Sequence, residues 1–449
     1  MSRDVFTKIL NIELERFELI IKEGGGSYKK MGFLRRLPFY YGWVVLGLCF
    51  LALFASFGIR VSFGSYITSW EQEFGTNRTV VSTISLLSFF VLAIAQPLVG
   101  KLNDRFGARS VLTLSLCTAG VALILCSFAN QLWQLVLIYG VFVSLGVTGA
   151  ANVTATALIT RWFTAKRGLA LGITMSGMAV GQLVVVPLSL YLVSHFDWRY
   201  SIGILGVGVL FVFMPLMFFF IRSKPTDLGL MPFGEVTIVS EQEERIAQVQ
   251  LKEKQEPVWT VLKQRVFWQL AIPYFVCGFT DVGLVDTHFI PFAEGKGFSV
   301  GVIAFTFSLI AIANILGTIG TGYLADRWNR SSLLAMIYGI RGLTFLLLLV
   351  ANKPWLLAVF AVFYGITEMA SIAPTSSLCV HLFNKYSIGV IFGFVSVSHQ
   401  LGGAIGSFVP GVIYDLTHSY VLVFLLSIIL IAVSALVVSR VPDFQGQKV

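Results

Sequence analysis

Long apolar runs, separated by short charged loops, constrain this chain more than any other feature of its sequence. Each run is near or above the ~20 residues that a helix needs to cross the core of a bilayer. Because lipid offers no hydrogen bonds to the backbone, runs this long and continuous indicate transmembrane helices. There are about twelve of them, at 40–70, 80–99, 111–129, 132–163, 168–196, 200–221, 267–293, 300–325, 331–351, 355–383, 388–414 and 420–439. We therefore predict an all-α membrane protein.

The composition supports lipid as the solvent. Of the 449 residues, 56% are hydrophobic and 12% are charged, whereas soluble domains carry about 25% charged residues. The net charge of +9 does not indicate nucleic-acid binding, because the basic residues fall in the short loops between apolar runs. All five cysteines lie inside apolar runs, without a disulfide framework or metal-like spacing. We expect no cofactor and no metal.

Basic residues in the short loops predict the orientation in the membrane. One set of loops is rich in them: Lys101, Arg105, Arg109, Arg161, Lys166, Arg167, Arg327, Arg330 and Lys385. The opposite set contains Arg78, Arg199, Lys296 and Lys353. The first set is therefore expected in the cytoplasm, together with both termini. We expect a multi-pass protein of a bacterial inner (plasma) membrane.

Polar stretches divide the chain into five segments. These are a cytoplasmic N-terminal amphipathic segment (1–38), a six-helix bundle (39–222), a cytoplasmic linker (223–265), a second six-helix bundle (266–441) and a cytoplasmic tail (442–449). Residues 4–22 read as a helix with one apolar side that could lie on the membrane surface. Charges interrupt this stretch too often for a cleavable signal peptide.

A charged, glycine-rich motif occurs twice, about half a chain apart. The first copy is Gly-Lys-Leu-Asn-Asp-Arg-Phe-Gly-Ala-Arg at 100–109, and the second is Gly-Tyr-Leu-Ala-Asp-Arg-Trp-Asn-Arg at 322–330. Glycines at 168, 172 and 181 in the fifth run recur at 389, 393 and 402 in the eleventh. A repeat at half-length predicts two parallel copies of one six-helix unit.

The motif between the second and third runs resembles the hallmark loop of the major facilitator superfamily, G-x-L-x-D-R-x-G-x-R. The stretches 58–66, 283–291 and 402–406 are similar to the oxalate/formate antiporter and monocarboxylate porter branch. The resemblance implies two six-helix bundles with one substrate site between them, and alternating access by rocking. It also implies a cytoplasmic gate formed by Gly100, Asp104, Arg105, Gly107, Arg109, Gly322, Asp326, Arg327 and Arg330. Asn329 stands near the place of Gly107 and is expected to tolerate left-handed geometry.

Ionisable residues inside apolar runs are functional candidates, because they are costly in lipid. Arg60 has small neighbours, and its planar guanidinium suits a carboxylate. Its alternative role is to reach the headgroups from the end of its helix. Asp281, Asp286 and His288 lie in the seventh run, where Gly283 and Pro291 predict a broken helix. They are candidates for proton coupling or for an outer gate.

Further candidates lie in the second half. In the monocarboxylate porters an acid and an arginine occupy the places of Asn314 and Thr318, so this chain lacks that ion pair. Arg341 is expected to pair with Glu368 or Asp281, in proton coupling or gating. His399, with the weaker candidates Tyr66, Asn152 and Tyr364, is expected with Arg60 and Asn314 around the substrate.

These observations predict a monomeric secondary transporter for a small organic anion, a mono- or dicarboxylate. Transport would couple to protons or to a counter-anion. Proton-driven efflux of drug-like or cationic compounds is the alternative on the same fold, although Gly181 precedes Gln182 where drug antiporters have a Gly-Pro step. A membrane-embedded enzyme or receptor is a remote alternative, since no catalytic cluster is visible.

Overall fold

Twelve apolar helices, long enough to cross a membrane, make up most of the described part of the computed structural model. The structure describes residues 40–234, 258–325, 327–383, 386 and 388–443. The predicted amphipathic segment, most of the linker, Asp326 and the end of the tail lie outside these ranges. The all-α membrane fold predicted from the apolar runs is confirmed.

The helices follow the apolar runs closely. They are α1 (Gly42–Ser65), α2 (Arg78–Phe106), α3 (Ala108–Cys126), α4 (Leu132–Trp162), α5 (Arg167–His195), α6 (Trp198–Phe220), α7 (Arg265–Gly295), α8 (Val300–Ala325), α9 (Arg330–Leu349), α10 (Pro354–Leu382), α11 (Val390–Thr417) and α12 (Val421–Val438). A 3₁₀ turn, Ser62–Ser65, ends α1, and a short helix, Ile67–Glu73, follows it. Because the apolar stretches are continuous, the helix interiors could be placed from sequence.

Helix packing repeats between the two halves. In the first half α1 packs along α5 and α3 along α6, and in the second half α7 packs along α11 and α9 along α12. The fourth helix of each half is interrupted at the same place, at Ala150–Ala151 in α4 and at Met369–Ser371 in α10. The halves meet where α2 contacts α11 and α5 contacts α8. This arrangement is the duplicated architecture that the glycine-rich motifs indicate.

The helix α7 lies at the centre of the molecule. Of the most apolar stretch of α7, 89% is buried inside the protein. The corresponding share is 28% for α6 and 33% for α12. One end of the bundle carries the start of α2 at Arg78, and the opposite end carries the start of α3 near Arg109. We refer to these as the Arg78 end and the Arg109 end. Residues on α1 and α7 halfway between them therefore lie where the two halves face each other.

The prediction that α7 is a broken helix is wrong. The span is continuous, with a π-helical turn at Phe279–Val285 between two α-helical segments. A π turn absorbs one extra residue while the backbone keeps its hydrogen bonds. Gly283 serves instead as a contact point, since a Cβ there would meet the backbone of Gly406 on α11 at 2.6 Å. Pro291 lies inside the second segment and does not end it.

Glycines allow α1 and α5 to touch backbone to backbone. A Cβ at Gly177 or Gly181 would overlap the carbonyl oxygens of Phe50 and Phe54 on α1. Small residues at such crossings are the usual means of close helix packing in lipid, where no hydrophobic force drives helices together. The contact between α1 and α5 therefore depends on the missing side chains.

We predict that Gly181→Ala destabilises the first half by about 1–3 kcal/mol, the usual effect of overpacking. Thermal unfolding in detergent should show a lower Tm. Gly172→Ala on the same helix is the matched control, because no atom lies within 4 Å of a Cβ there. It should raise or leave the Tm, since alanine is the better helix former by about 1 kcal/mol. Equal Tm values for the two variants would contradict the packing argument.

Candidate functional site

A cavity opens between the halves, about midway along the helices. The space between its lining atoms, including the part that is open to solvent, is about 440 Å³. The helices α1, α2 and α4 form three of its walls, and α7 of the opposite half forms the fourth. The lining residues are Ile59, Arg60, Phe63, Ser85, Ser88, Phe89, Leu92, Tyr139, Val143, Ser144, Val147, Val282, Asp286 and Thr287. This mixture of apolar walls and a few polar groups is typical of a small-molecule site.

Arg60 and Asp286 form an ion pair across this cavity. Arg60 Nη2 lies 3.7 Å from Asp286 Oδ2, and the two side chains are 19% and 5% exposed. The guanidinium also lies over the Phe57 ring, with its Cζ 4.4 Å from the ring centre. Among the described residues, neither Arg60 Nε nor either Asp286 oxygen has a hydrogen-bond partner. The pair is thus longer than the 2.7–3.2 Å of a normal hydrogen bond, and its hydrogen-bonding capacity is largely unused.

Arg341 is held in the opposite way. Its guanidinium is fully buried, lies 3.9 Å from Asp281 Oδ2 and donates to the carbonyls of Thr367 and Glu368, the latter at 2.8 Å. These carbonyls are left without helix partners by the interruption of α10. Asp281 in turn accepts from the Tyr364 hydroxyl at 2.7 Å. Arg341 therefore holds the interrupted helix α10 in place. Its Nε, like that of Arg60, has no partner among the described residues, but Arg341 does not line the cavity.

Glu368 is surrounded by amides. Asn314 Nδ2 donates to its Oε2 at 2.7 Å, and Gln182 Nε2 donates to its Oε1 at 3.2 Å. Gln182 comes from α5 of the first half, so this second contact crosses between the halves. Thr318 donates to Asn314 Oδ1 at 3.0 Å. Asn314 and Thr318 thus support Glu368 on the neighbouring helix α10.

Three carboxyl groups meet at the centre of the second half. Oxygens of Asp281, Asp286 and Glu368 lie within 4.8 Å of one another. We call these residues the carboxyl cluster. Such groups repel one another when ionised, and the repulsion is strong away from water. The cluster therefore requires positive charge from arginines, protons or a bound cation.

The two histidines occupy different places. His399 stacks obliquely on Tyr274, with ring centres 4.7 Å apart, and one of its nitrogens lies within 4.8 Å of Cys277 Sγ and an Asp281 oxygen. His288 points away from the cavity, with Nδ1 3.1 Å from the Tyr420 hydroxyl and Nε2 2.7 Å from the Ser407 carbonyl. Both ring nitrogens of His288 are thus engaged in hydrogen bonds within the second half.

Of the predicted substrate residues, Arg60 lines the cavity, whereas Tyr66, Asn152, Asn314, Tyr364 and His399 do not. The Tyr66 hydroxyl bonds to Ser201 Oγ at 3.1 Å, inside the first half. Asn152 is exposed at the start of the last segment of α4. Sequence reasoning missed the serines at 85, 88 and 144, which line the cavity, and Gln182, which donates to the Glu368 carboxyl group. Single serines in apolar runs give little signal, but a glutamine in mid-span is costly enough to have been a candidate.

Polar contacts close the Arg78 end between the halves. Asp415 of α11 accepts from the backbone amides of Arg78 and Thr79, at 3.2 and 2.7 Å, and also from the Thr79 hydroxyl. A carboxylate at a helix N-terminus is favourable because the first amides have no partner in the helix. Asp415 therefore caps α2 of the opposite half.

The Arg78 side chain reinforces this closure. It makes two hydrogen bonds to Glu71, at 2.6 and 2.9 Å, and donates to the Tyr420 hydroxyl at 2.9 Å. Its guanidinium lies over the Tyr414 ring, 4.0 Å from the ring centre. Thr68 adds a contact to Glu294 at 2.7 Å. Together with the Asp415 cap, these contacts form what we call the Arg78 latch.

Comparison with known proteins decides the family. The family model of the Major Facilitator Superfamily matches residues 48–390 and 322–447. The chain belongs to the Major Facilitator Superfamily. It is a multi-pass membrane transporter and not an enzyme.

Relatives of this superfamily cover nearly the whole chain. It is 26% identical to the uncharacterized MFS-type transporter YcxA of Bacillus subtilis, over 90% of this chain and 96% of that protein. It is 25% identical to monocarboxylate transporter 13 of Rattus norvegicus, over 90% of each chain. A solved bacterial homolog of the human lysosomal transporter Spinster has the same fold, with a TM-score of 0.64, 14% identity, and coverage of 89% of this chain and 94% of that one.

The superfamily motif lies at the Arg109 end, and its described contacts each stay within one half. Gly107 has a φ of 79° and links α2 to α3. Arg109 donates to the Phe218 carbonyl at 3.1 and 2.7 Å. Asp104 is 81% exposed and lies 3.4 Å from Arg161. The Asp104 side chain is therefore largely free of protein contacts at this end.

The remaining motif positions are peripheral to the cavity. Gly100 and Gly322 lie within α2 and α8, where a Cβ would meet no atom within 4 Å. Arg105 lies over Phe106 and Arg327 over Tyr323. Arg330 bonds to Asp443 near the end of the described chain.

The expectation for Asn329 is wrong. Its φ is −58°, outside the left-handed region, and its side chain accepts from the Ser332 amide at 2.9 Å. Asn329 is thus the N-cap of α9. Asparagine serves both purposes well, and a following helix favours the cap.

We predict that Asp415→Ala loosens the start of α2. Removing a side-chain cap costs about 1 kcal/mol, so hydrogen exchange of the amides at 78–81 should become roughly fivefold faster. Mass spectrometry of peptides from this region measures the change. Asp197→Ala is the control, because Asp197 precedes α6 without capping it, and it should leave exchange at 78–81 unaltered. Unchanged exchange in Asp415→Ala would contradict the cap.

Proposed function

We propose that this transporter moves a small organic anion, a mono- or dicarboxylate, together with a proton and by alternating access. Exchange of one anion for another on the same site is the second mode of operation. The Arg109 end faces the cytoplasm, as the basic loops indicate, with both termini on that side. The membrane is a bacterial inner membrane, and the protein acts as a monomer.

The observation that carries this proposal is the loose Arg60–Asp286 pair. The Arg60 guanidinium borders the cavity, its Nε has no partner among the described residues, and its counterion lies at 3.7 Å. A substrate carboxylate could approach closely and accept two parallel N–H bonds, which is the geometry that arginine favours. The incoming anion therefore competes with Asp286 for Arg60.

This competition suggests how a proton is coupled. When the anion binds Arg60, Asp286 loses its only ion-pair partner among the described residues and remains 5% exposed. A buried carboxylate without a counterion is strongly disfavoured, and it binds a proton instead. One anion and one proton then enter together, and the charge of the site is unchanged. In anion exchange, a second carboxylate replaces the first at Arg60 before Asp286 pairs with Arg60 again.

The relatives add support at low identity. Monocarboxylate transporter 13 of Rattus norvegicus is named for monocarboxylates, and it matches at 25% identity. That name is consistent with an anion site built around an arginine. The Asn314 position departs from the monocarboxylate porter pattern, so Arg60 and Asp286 would here perform the work that an acid and an arginine on α8 perform there.

The conformation fits one state of the proposed cycle. The Arg78 latch closes the outer end, while Asp104 at the other end is exposed. We take this as the inward-facing state. The solved Spinster homolog is likewise in an inward-facing and unoccupied conformation. Opening the outer end requires the latch to break and the Arg109 end to close.

Efflux of a cationic compound is the second candidate, and a specific observation favours it. The cavity contains the rings of Phe63, Phe89 and Tyr139, next to the carboxyl cluster. Aromatic faces and carboxylates attract organic cations. Arg60 at the same cavity opposes this interpretation, because a cation would have to approach a guanidinium.

We predict that Arg60→Gln lowers uptake of carboxylates in proteoliposomes by roughly 10- to 100-fold, the effect of losing a charged hydrogen-bond pair. The assay uses radiolabelled acetate, pyruvate, oxalate and succinate, and the carboxylate with the highest wild-type uptake is the probe. Arg265→Gln, which removes an exposed arginine at the start of α7, should transport normally. Wild-type uptake by Arg60→Gln would remove Arg60 from the site. Uptake of an organic cation that all four carboxylates leave unaffected would favour efflux.

We predict that Asp286→Asn separates exchange from proton coupling. Asparagine keeps the size but cannot bind or release a proton, so a pH gradient, acidic outside, should no longer drive accumulation of the probe. Exchange of labelled for unlabelled probe at equal pH should persist. The control Asp227→Asn alters an exposed carboxyl in a short 3₁₀ helix, Pro225–Leu228, outside the twelve membrane-spanning helices. Gradient-driven accumulation that survives in Asp286→Asn would refute the role of Asp286.

A further inference from the structure

The charges around the cavity do not balance. The carboxyl cluster contributes three acids, and two arginines lie beside it. Arg60 is the ion-pair partner of Asp286, and Arg341 is the partner of Asp281. If all five groups were ionised, the site would keep one negative charge without compensation. Such a charge inside a membrane protein is expensive.

The uncompensated acid can be identified from its surroundings. In the part of the chain that the structure describes, no arginine, lysine or histidine lies within ion-pair distance of the Glu368 carboxyl group. Arg341 reaches the backbone carbonyl of Glu368 and not its side chain. The two groups that do touch this carboxyl, Asn314 and Gln182, are neutral.

Each helix around Glu368 supports the same assignment. The helix α7 brings two more acids, Asp281 and Asp286, which repel a negative charge on Glu368. On α5 and α8 the facing groups are the amides, and Tyr364 on its own helix donates to Asp281. Arg60 on α1 has its ion pair with Asp286, and His399 on α11, the other group here that can carry a positive charge, approaches Asp281 but forms no ion pair with any acid among the described residues.

We infer that Glu368 is protonated in the resting transporter, and that this resident proton is what allows an anion to enter the site. The inference rests on the proposed function for its second part only. With Glu368 neutral, two arginines balance two aspartates and the empty site carries no net charge. With Glu368 ionised, the site is negative and repels the anion before it reaches Arg60. Glu368 thus sets the net charge of the empty site and acts as a positioning residue. Its proton is distinct from the coupling proton, which Asp286 binds.

The amide of Gln182 offers a hydrogen-bond acceptor for this proton. Its Oε1 is buried and has no partner among the described residues, although its Nε2 contacts Glu368. The two amide ends are exchangeable by a rotation of the side chain. In the rotated form, Oε1 accepts the Glu368 proton, and a neutral hydrogen bond joins α5 to α10 across the halves.

Infrared spectroscopy, with the spectrum of each variant subtracted from that of the wild-type protein, tests the resident proton without any substrate. At neutral pH, the substrate-free protein should show the C=O stretch of a protonated carboxylic acid, and Glu368→Gln should lose it. Gln182→Leu should keep the band but shift it, because one hydrogen bond to the acid is removed; this arm remains informative if Glu368→Gln does not fold. Asp227→Asn should leave the band in place. Absence of the band from the wild-type protein would overturn the inference.

The pH profile of probe exchange tests the second part. Glutamine imitates protonated Glu368 at every pH, so the loss of exchange on the alkaline side should move upward in Glu368→Gln, by at least about one pH unit. An unchanged alkaline limb would refute the role in anion entry. Exchange that depends on Na⁺ at fixed pH, without a carboxylic acid band, would instead assign a bound cation to the cluster.

The two proposals can fail separately. If no carboxylate is transported, but the band is present and is lost in Glu368→Gln, the proton assignment stands and the anion proposal fails. If carboxylates are transported but the band is absent, the anion proposal stands and the proton assignment fails.

Discussion

The absence of hydrogen-bonding solvent in the bilayer governs this structure. Backbone groups are satisfied within helices, and groups freed by an interruption must find a side chain. Ser56 donates to the Ala150 carbonyl at 3.1 Å, next to the interruption of α4, and Arg341 does the same for α10. Ionisable groups are pushed to the boundary between the halves for the same reason. The chemistry of the protein is therefore concentrated where the two bundles face each other.

Arg60 and Arg341 illustrate how structural and functional charges differ. Arg341 is fully enclosed, donates to two carbonyls and to Cys277 Sγ, lies 3.9 Å from Asp281, and serves the shape of α10. Arg60 borders empty space and is held by one distant aspartate. Both are single arginines in apolar helices, and the sequence predicts different roles for them, Arg60 at the substrate and Arg341 in an ion pair with Glu368 or Asp281. Their different roles follow from how much of each guanidinium is already engaged.

Sequence reasoning reached the fold because its signals are local and strong. Apolar runs give the helices, and the duplicated motif gives the two-bundle architecture. The site was harder, since contacts such as those between Arg60 and Asp286 or between Gln182 and Glu368 join residues that are distant in the chain. The shape of α7 was misjudged because Gly283 and Pro291 are tolerated inside membrane helices. Asn329 was misjudged because asparagine suits both a left-handed turn and an N-cap.

The cap that Asp415 places on α2 ties folding to movement. The first amides of α2 depend on a carboxylate from the other bundle, and among the described residues of its own half Asn77 alone caps the helix. When the bundles part at this end, these amides must turn to water. The helix α2 is thus expected to be shorter and more frayed in one state of the cycle than in the other. Part of the free energy of the conformational change is then the free energy of ordering a single helical turn.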